Sequence, residues 1–369
     1  MRNGIVSMLA SVLAVSVVIG VRAAEPEGQP PKVKIGEVAH RNERAIADGL
    51  KWLARHQLSD GSWSLKEFNA RCTDKTCTGQ GNFESDTAAT AFGLLPMLAA
   101  GQTHKSKGPY RNSVSQGLQW LLHQQKPDGN LAAGSGTPMY AHGLATIVLC
   151  EAYGMTDDQV LRASAERAIK YIVDAQNKTT GGWRYTPGAD GDTCVLGWQI
   201  AALTSAKRAK LKIDDAVFQG AGRWLDSVAH DPGKSLYSYV PASAATRTMT
   251  ASGLLSRQYL GIKRDDPRMT EGVKYLLAEL PDVTKGNTYY WYFATQAMHN
   301  YGGDSWDTWH RQMRKILIDS QNKDAAACAN GSWDPKDDTW GRHGGRLMTT
   351  SMSLLILEVY YRYVSLFKT

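Results

Sequence analysis

The fold of this chain is decided by residues 49–63, which read GLKWLARHQLSDGSW. Residues 117–131 read GLQWLLHQQKPDGNL, and residues 168–183 read AIKYIVDAQNKTTGGW. The three stretches share an aromatic residue, an aliphatic residue, a glutamine after three further residues, a short polar turn and glycine-x-tryptophan, although Leu131 replaces the tryptophan of the second stretch. Weaker copies surround Trp224, Tyr275 and residues 316–333, so the chain is predicted to contain six repeats.

A second, more apolar helix is predicted after each copy. The first helix of a repeat is amphipathic, which is typical of an outer helix, whereas the second is apolar nearly all round and should be buried. No segment alternates apolar and polar residues as a half-buried strand does. The sequence therefore predicts an all-α protein, an α6/α6 toroid in which about twelve helices form two rings. The alternative is an open superhelix, which would expose the inner helices to solvent. The predicted inner helices begin at Asp86, Tyr140, Asp192, Arg247, Tyr289 and Arg346.

The N-terminus has the pattern of a secretory signal. Arg2 precedes an apolar run over residues 5–21, and the small residue Ala23 follows. We expect residues 1–23 to be a signal peptide, residues 24–40 a flexible leader rich in proline, glycine and charge, and residues 41–369 a single toroid domain. This organisation predicts a secreted or periplasmic protein with no stable membrane span after cleavage. An uncleaved membrane anchor is the alternative.

Composition narrows the classes of function. The 369 residues carry a formal net charge of +7, and the lysines and arginines are scattered along the chain, which argues against nucleic-acid binding. The 11 tryptophans and 16 tyrosines outnumber the 6 phenylalanines. Because tryptophan and tyrosine combine an apolar body with a polar group, this excess favours well-ordered turns and a cavity lined by aromatic side chains. An apolar or anionic small molecule is the expected ligand.

The five cysteines predict at most one disulfide. Cys72 and Cys77 lie in one polar loop, RCTDKTC, and export would permit a disulfide between them. Cys150 and Cys194 fall inside apolar helical patterns, where a buried free thiol is expected. No C-x-x-C pair is present, which disfavours a zinc ribbon or a c-type haem. We therefore predict a Cys72–Cys77 disulfide, no metal and no cofactor.

The repeat resembles the QW motif of the terpenoid cyclase and protein prenyltransferase toroid superfamily. The pattern Gly-x2-Trp-Leu-x3-Gln-x3-Gly-x-Trp holds throughout residues 49–63, and weaker copies extend the resemblance over residues 45–369. In that family the glutamine and tryptophan tie successive helical pairs together. The resemblance implies the fold, whereas activity has to be argued from a site.

Candidate site residues lie at the starts of the inner helices. In such a toroid the inner helices run parallel, so their N-termini and partial positive charges surround one mouth of the cavity. Asp86 and Asp192 are the candidate catalytic residues. Simpler roles are also open. The two aspartates would cap helices, and His142 would lie in the core. Arg247 and Arg346 would pair with carboxylates at the rim. The candidate substrate-binding residues are His142, Trp198, Arg247, Tyr290, Trp291 and Arg346.

The resemblance allows two chemistries to be tested on the residues. The squalene-hopene type of cyclase uses a DxDDTA motif. Residues 189–194, ADGDTC, retain only the last of its aspartates, as Asp192, and Gly191 falls on the proton donor. The prenyltransferase D-x-C stretch resembles Asp192 and Cys194, but the third zinc ligand is missing, so zinc is not predicted there.

The function implied by the resemblance is that of an exported cyclase-like protein that binds an isoprenoid or similar apolar ligand in a central cavity. Whether Asp192 catalyses acid-dependent cyclisation is left open. One alternative is a non-catalytic binding or scaffold toroid, for which the cavity should be filled by side chains. The other is a glycan-active toroid enzyme with Asp86 and Asp192 as its carboxylate pair.

Overall fold

The computed structural model describes residues 35–72, 77–132 and 135–362. The predicted signal peptide and residues 24–34 of the predicted leader lie outside them. The first helix, α1 (Ile35–Arg55), begins within the stretch 24–40, so the end of that stretch is helical rather than a leader. Among the described residues, no helix combines the length and apolarity needed to span a bilayer.

The described residues form six pairs of helices, each an outer helix followed by an inner helix. The outer helices are α1, α3 (Arg111–Gln124), α5 (Gln159–Ala175), α7 (Asp215–Ser227), α9 (Pro267–Leu277) and α11 (Gly303–Ser320). The inner helices are α2 (Asp86–Ala99), α4 (Pro138–Thr156), α6 (Thr193–Arg208), α8 (Arg247–Tyr259), α10 (Thr288–Tyr301) and α12 (Gly341–Leu357). A short helix, α13 (Val359–Arg362), follows α12, and residues 68–71 and 283–285 form 3₁₀ turns. An antiparallel hairpin joins β1 (Ala229–His230) to β2 (Leu236–Tyr237).

The inner helices form a closed ring. Each packs against two inner neighbours, in the order α2, α4, α6, α8, α10 and α12, and α12 packs against α2. Every residue from Thr87 to Ala99 of α2 is buried, as expected for a helix that is apolar nearly all round. The predicted all-α toroid is therefore confirmed, and the open superhelix is wrong.

The repeated tryptophan joins each turn to its own outer helix. The indole Nε1–H of Trp63 donates to the carbonyl oxygen of Leu53 at 2.8 Å, and that of Trp183 donates to Ile172 at 2.7 Å. The same bond joins Trp333 to Leu317 at 2.8 Å. A buried indole N–H needs an acceptor, so this bond fixes the turn on the helix that precedes it.

The repeated glutamine joins neighbouring pairs. Gln57 donates from Nε2 to the carbonyl oxygen of Ser113 on α3 at 2.9 Å, and Gln176 donates to Val217 on α7 at 2.9 Å. Gln321 of the sixth pair donates to Ala45 on α1 at 2.8 Å. The last pair is therefore joined to the first by the bond that joins these other neighbours, which closes the outer ring.

Aromatic side chains meet inside the ring. Trp198 of α6 stacks on Tyr292 of α10 with ring centroids 5.3 Å apart and meets Phe293 edge-on at 5.2 Å. Because α8 lies between α6 and α10 in the ring, these contacts reach across the interior. Towards the C-terminal ends of the inner helices, Arg362 of α13 pairs with Glu151 of α4 at 2.7 Å. Side chains therefore occupy the interior at both of these levels.

Candidate active site at the starts of the inner helices

Asp192 is a buried carboxyl group at the start of α6. Its Oδ1 accepts the backbone N–H of Val195 at 2.7 Å, so the predicted capping role is confirmed. Its Oδ2 is buried and accepts no well-formed hydrogen bond from the described residues, although the Tyr239 hydroxyl interacts with the carboxyl group. Burial raises the pKa of Asp192 to about 6, against the opposing effects of the Val195 amide, the Tyr239 hydroxyl and the Arg184 guanidinium. An ionised carboxylate is costly here because it is removed from water, and one of its oxygens has no well-formed hydrogen bond to replace the lost water.

Two tyrosines and an arginine lie beside Asp192. The hydroxyl groups of Tyr185 and Tyr239 are 2.5 Å apart. The guanidinium of Arg184 lies over both rings, 5.6 Å and 5.9 Å from their centroids. All three residues lie on loops before α6 or α8, outside the repeated motif, so pattern reasoning missed them. One sequence signal was available: a tyrosine follows an aromatic residue by two positions in both Trp183-Arg184-Tyr185 and Tyr237-Ser238-Tyr239.

The starts of four inner helices contribute to this group. Sγ of Cys194 on α6 lies 3.5 Å from Sδ of Met249 on α8. Tyr140 of α4 and Tyr289 of α10 have pKa values raised well above the usual range, first by burial and then by neighbours that include Cys194 and Asp192. Tyr289 also accepts the indole N–H of Trp198 at 3.1 Å. The predicted convergence of inner-helix starts is therefore confirmed for these four helices, and Asp192 and Trp198 lie in the group.

Asp86 lies apart from this group. It borders a cavity of about 410 Å³ between the first and second pairs, and Asp192 is not among the residues that line this cavity. Asp86 does not cap α2, because Ser85 accepts the Ala88 N–H instead. Its pKa is raised, first by burial, against a hydrogen bond from Ser64, and then by nearby carboxylates. This cavity therefore does not bring Asp86 and Asp192 together, and a carboxylate pair formed by them stays a prediction.

His142 is a structural histidine. It is fully buried, its Nδ1 accepts the backbone N–H of Leu131 at 3.2 Å, and its Nε2 donates to the carbonyl oxygen of Ala168 at 3.0 Å. Burial lowers its pKa to about 4, so the ring is neutral. Both nitrogens are engaged, and the predicted substrate-binding role is wrong.

Arg346 is also committed to structure. Its guanidinium donates to the carbonyl oxygen of Thr78 at 2.7 Å, to Ser332 Oγ at 3.1 Å and to Asp334 Oδ2 at 2.6 Å. Its side chain is 3% exposed. Since the guanidinium is buried and each of its three nitrogens donates to the protein, the predicted ligand contact is wrong, and the simpler prediction of a paired rim arginine holds.

Arg247, Tyr290 and Trp291 line a second cavity, of about 490 Å³, that does not include Asp192. Arg247 donates from Nε to Oε2 of Glu279 at 2.8 Å and lies 4.4 Å from the Tyr275 ring centroid. The arginine is thus paired with a rim carboxylate. The hydroxyl of Tyr290 is buried without a hydrogen-bond partner among the described residues. Ligand binding by these three residues stays a prediction.

The predicted Cys72–Cys77 disulfide is not formed, and both residues are buried free thiols. The Cys77 sulfur instead lies 3.4 Å from Nε2 of His56, and the Cys328 sulfur lies 3.5 Å from the same nitrogen. Together with Cys72, these residues are the group of buried metal-binding side chains found among the described residues. The sequence did not connect them because Cys328 is 272 residues from His56.

Comparisons with known proteins agree with this fold. Residues 33–139 match the family model of the squalene-hopene cyclase C-terminal domain. No curated protein matches the chain by sequence. The type II terpene cyclase of Scytonema, solved with its product merosterolic acid A, is 13% identical with a TM-score of 0.58, over 88% of this chain and 98% of that one.

Glycan-active proteins share the same fold. A glycoside hydrolase family 76 mannosidase from Bacteroides thetaiotaomicron is 14% identical with a TM-score of 0.60, covering 87% of this chain and 98% of its own. A protein described as a novel α-amylase from Clostridium perfringens is 11% identical with a TM-score of 0.58, covering 86% and 97%. The resemblance to the terpenoid cyclase and prenyltransferase α/α-toroid superfamily is thus confirmed as a fold, which glycoside hydrolases also adopt.

Proposed function

We propose that this chain is a terpene-cyclase-like toroid that binds an isoprenoid or similar apolar ligand through a polar oxygen group at the starts of α4, α6, α8 and α10. The single observation that carries the proposal is Asp192, a fully buried carboxyl group whose Oδ2 accepts no well-formed hydrogen bond from the described residues. A buried polar atom without a partner destabilises a fold, and strongly shifted carboxyl groups concentrate at functional sites.

The raised pKa limits the chemistry that Asp192 performs. With a pKa of about 6, the group carries a proton in mildly acidic solution and can donate a hydrogen bond, or a proton, to a ligand oxygen. Protonation of an alkene needs a much stronger acid, and the proton-donor position of the cyclase motif is Gly191. We therefore favour binding, with general-acid chemistry at oxygen, over cyclisation started at a double bond.

The surroundings of Asp192 suit such a ligand. The rings of Tyr140, Tyr289 and Trp198 offer apolar faces beside the carboxyl group, and the Arg184 guanidinium supplies a positive charge for an anionic headgroup. The aromatic contacts between α6 and α10 favour a ligand bound near the helix starts over one enclosed along the whole axis. Export of the chain stays a prediction from its first 23 residues.

One observation favours a second candidate, a glycan-binding or glycan-active function. The 410 Å³ cavity beside Asp86 also contains Glu67 and Glu84, together with Trp120. Carboxyl groups beside an aromatic face are the components of a sugar site. This candidate uses different residues from the first, so the two are separable by mutation.

The test measures binding of farnesol, an isoprenoid alcohol, by calorimetry at pH 5 and pH 8. We expect binding to be roughly tenfold weaker at pH 8, because the ionised Asp192 no longer donates a hydrogen bond. Asp192→Asn keeps a neutral donor and an effective helix cap, so it should remove the pH dependence. The matched control Asp190→Asn changes an exposed aspartate two residues away and should retain it.

Equal affinity of the wild-type chain at the two pH values would contradict the role of Asp192. Binding of an α-1,6-mannotriose probe that is lost in Asp86→Asn, with no binding of farnesol, would favour the glycan candidate instead.

A further inference from the structure

We infer that His56, Cys72, Cys77 and Cys328 form a structural zinc site at the seam between the first and sixth helical pairs. Their ligand atoms all lie within 4.8 Å of one another, and all four residues are buried. Zinc–sulfur bonds of about 2.3 Å and zinc–nitrogen bonds of about 2.0 Å in a tetrahedron place ligand atoms roughly 3.4–3.8 Å apart. His56 Nε2 lies 3.4 Å from Cys77 Sγ and 3.5 Å from Cys328 Sγ.

The imidazole of His56 is oriented for a metal. Its Nδ1 lies 2.8 Å from the carbonyl oxygen of Trp52. A carbonyl oxygen only accepts, so Nδ1 carries the proton and Nε2 presents its lone pair to the sulfur atoms. A backbone carbonyl that fixes the tautomer in this way is typical of metal-binding histidines. The ring also stacks on the indole of Trp52, with centroids 4.2 Å apart, and this contact holds its plane.

The loops that carry the cysteines are held by hydrogen bonds. The backbone N–H of Cys77 donates to Sγ of Cys72 at 3.5 Å. Arg55 donates to the carbonyl oxygen of Cys328 at 3.3 Å, and Arg346 donates to the carbonyl oxygen of Thr78 at 2.7 Å. Three thiolates and one neutral imidazole around Zn²⁺ leave a charge of −1, so the two guanidinium groups nearby are favourable.

The donor set selects the metal and its role. Three soft sulfur ligands and one imidazole match a closed four-coordinate zinc site, whereas a catalytic zinc site keeps a position for water or substrate. All four ligands are buried, and none belongs to the inner-helix starts around Asp192. We therefore assign the site to the stability of the ring rather than to chemistry on a substrate.

The position explains what the metal would stabilise. His56 follows α1 in the first pair, whereas Cys328 lies in the loop between α11 and α12 of the sixth. A zinc ion would join parts of the chain 272 residues apart, in addition to the Gln321–Ala45 hydrogen bond. Because metal binding to the folded state adds to folding free energy, the site would hold the ring closed.

The experiment measures metal bound to the purified full-length chain. We expect one zinc per chain by elemental mass spectrometry, and replacement by Co²⁺ should give the sulfur–cobalt charge-transfer and tetrahedral d–d absorption bands. Cys328→Ser should weaken zinc binding by more than about tenfold, since even changes to the partners of metal ligands cost 10–100-fold. Cys150→Ala, at a buried cysteine outside the cluster, should keep the zinc and the cobalt spectrum.

The cobalt measurement uses the wild-type protein, so it decides the question even where a variant fails to fold. Fully reduced protein that takes up neither zinc nor Co²⁺ would overturn the site. A Cys72–Cys77 disulfide in protein purified without reductant would also overturn it; it would leave three titratable thiols in the denatured chain instead of the five that the structure contains.

Discussion

In the first helical pair the turn after α1 is anchored by Trp63, whereas in the second pair the equivalent residue is Leu131. The backbone N–H of Trp63 donates to Oγ1 of Thr90 at 3.1 Å, and that of Leu131 donates to Nδ1 of His142 at 3.2 Å. A threonine hydroxyl and an imidazole thus satisfy the same buried amide at the same position of the inner helix. Each of these repeats therefore needs a hydrogen-bond acceptor for this buried N–H, but the acceptor need not be the same residue type. Only the imidazole makes the contact between turn and inner helix sensitive to pH.

The fourth pair extends the comparison. Tyr237 takes the tryptophan position, its N–H donates to Oγ1 of Thr250 at 3.1 Å, and its ring lies against Gly253. In the first pair the Trp63 ring lies in the same way against Gly93, three residues after Thr90. Where the ring is absent, in the second pair, the corresponding position after His142 is Ala145. A glycine therefore accompanies the ring in the first and fourth pairs, and the two positions can be tested together.

The largest expected effect comes from Trp63→Ala. It removes a fully buried indole and its hydrogen bond to Leu53, and it should lower the free energy of unfolding by about 3–5 kcal/mol. Leu131→Ala, at the equivalent position, should cost less because the side chain is smaller and makes no hydrogen bond. Urea unfolding of both variants measures the difference. Equal losses would mean that the larger indole and its hydrogen bond contribute no more to stability than the leucine side chain does.

A smaller effect is expected from Gly93→Ala. The new methyl group would lie 2.4 Å from the Trp63 ring, so we expect a loss of about 1–3 kcal/mol in the free energy of unfolding. In a Trp63→Leu background the same change should cost much less, because leucine with alanine is the combination found in the second pair. A double-mutant cycle by urea unfolding measures this coupling. Additive losses would contradict the claim that the glycine is required by the ring.

The third expected effect is a change in stability with pH. Burial lowers the pKa of His142 from 6.5 to about 4, so between these values the unfolded chain binds the proton and the folded chain does not. Its contribution to stability is complete above pH 6.5 and is lost as the pH falls towards 4. His142→Gln should therefore be less stable than wild type at pH 8, with a deficit smaller by about 2 kcal/mol at pH 5.

Thermal or urea unfolding of the two proteins at both pH values checks this difference. Thr90→Gln, at the equivalent position of the first pair, serves as the control and should change stability by the same amount at pH 5 and pH 8. A pH-independent deficit in His142→Gln would show that folding does not lower the pKa of the His142 imidazole.

Much of the fold was predictable because the residues that determine the geometry of each repeat are close together in the sequence. The aromatic residue, the glutamine and the glycine-x-tryptophan turn lie within about fifteen residues of one another. Asp192 was identified from its place at a helix start, but the lack of a well-formed hydrogen bond at its Oδ2 depends on what the neighbouring pairs present to it. His142 was assigned to the site, since a sequence does not reveal that an amide and a carbonyl occupy both its nitrogens.

The group around His56 could not be predicted for a related reason. A sequence pattern connects residues that lie a few positions apart, so Cys72 and Cys77 predict a disulfide with each other rather than a site shared with His56. His56 lies inside the repeated motif, where it was counted as one of three variable residues before Gln57. Only the closure of the ring brings Cys328 to it.

The hydrogen bond from Gln321 to Ala45 has a consequence for how the molecule comes apart. In a linear array of repeats the terminal units face water on one side and fray first, so unfolding spreads inward from an end. Here the chain closes on itself, so unfolding any one pair exposes the packed surfaces of both neighbouring pairs instead of one. In a closed ring no helical pair is terminal, so unfolding has no preferred starting point. This favours cooperative, all-or-none unfolding of the ring over stepwise loss of its pairs.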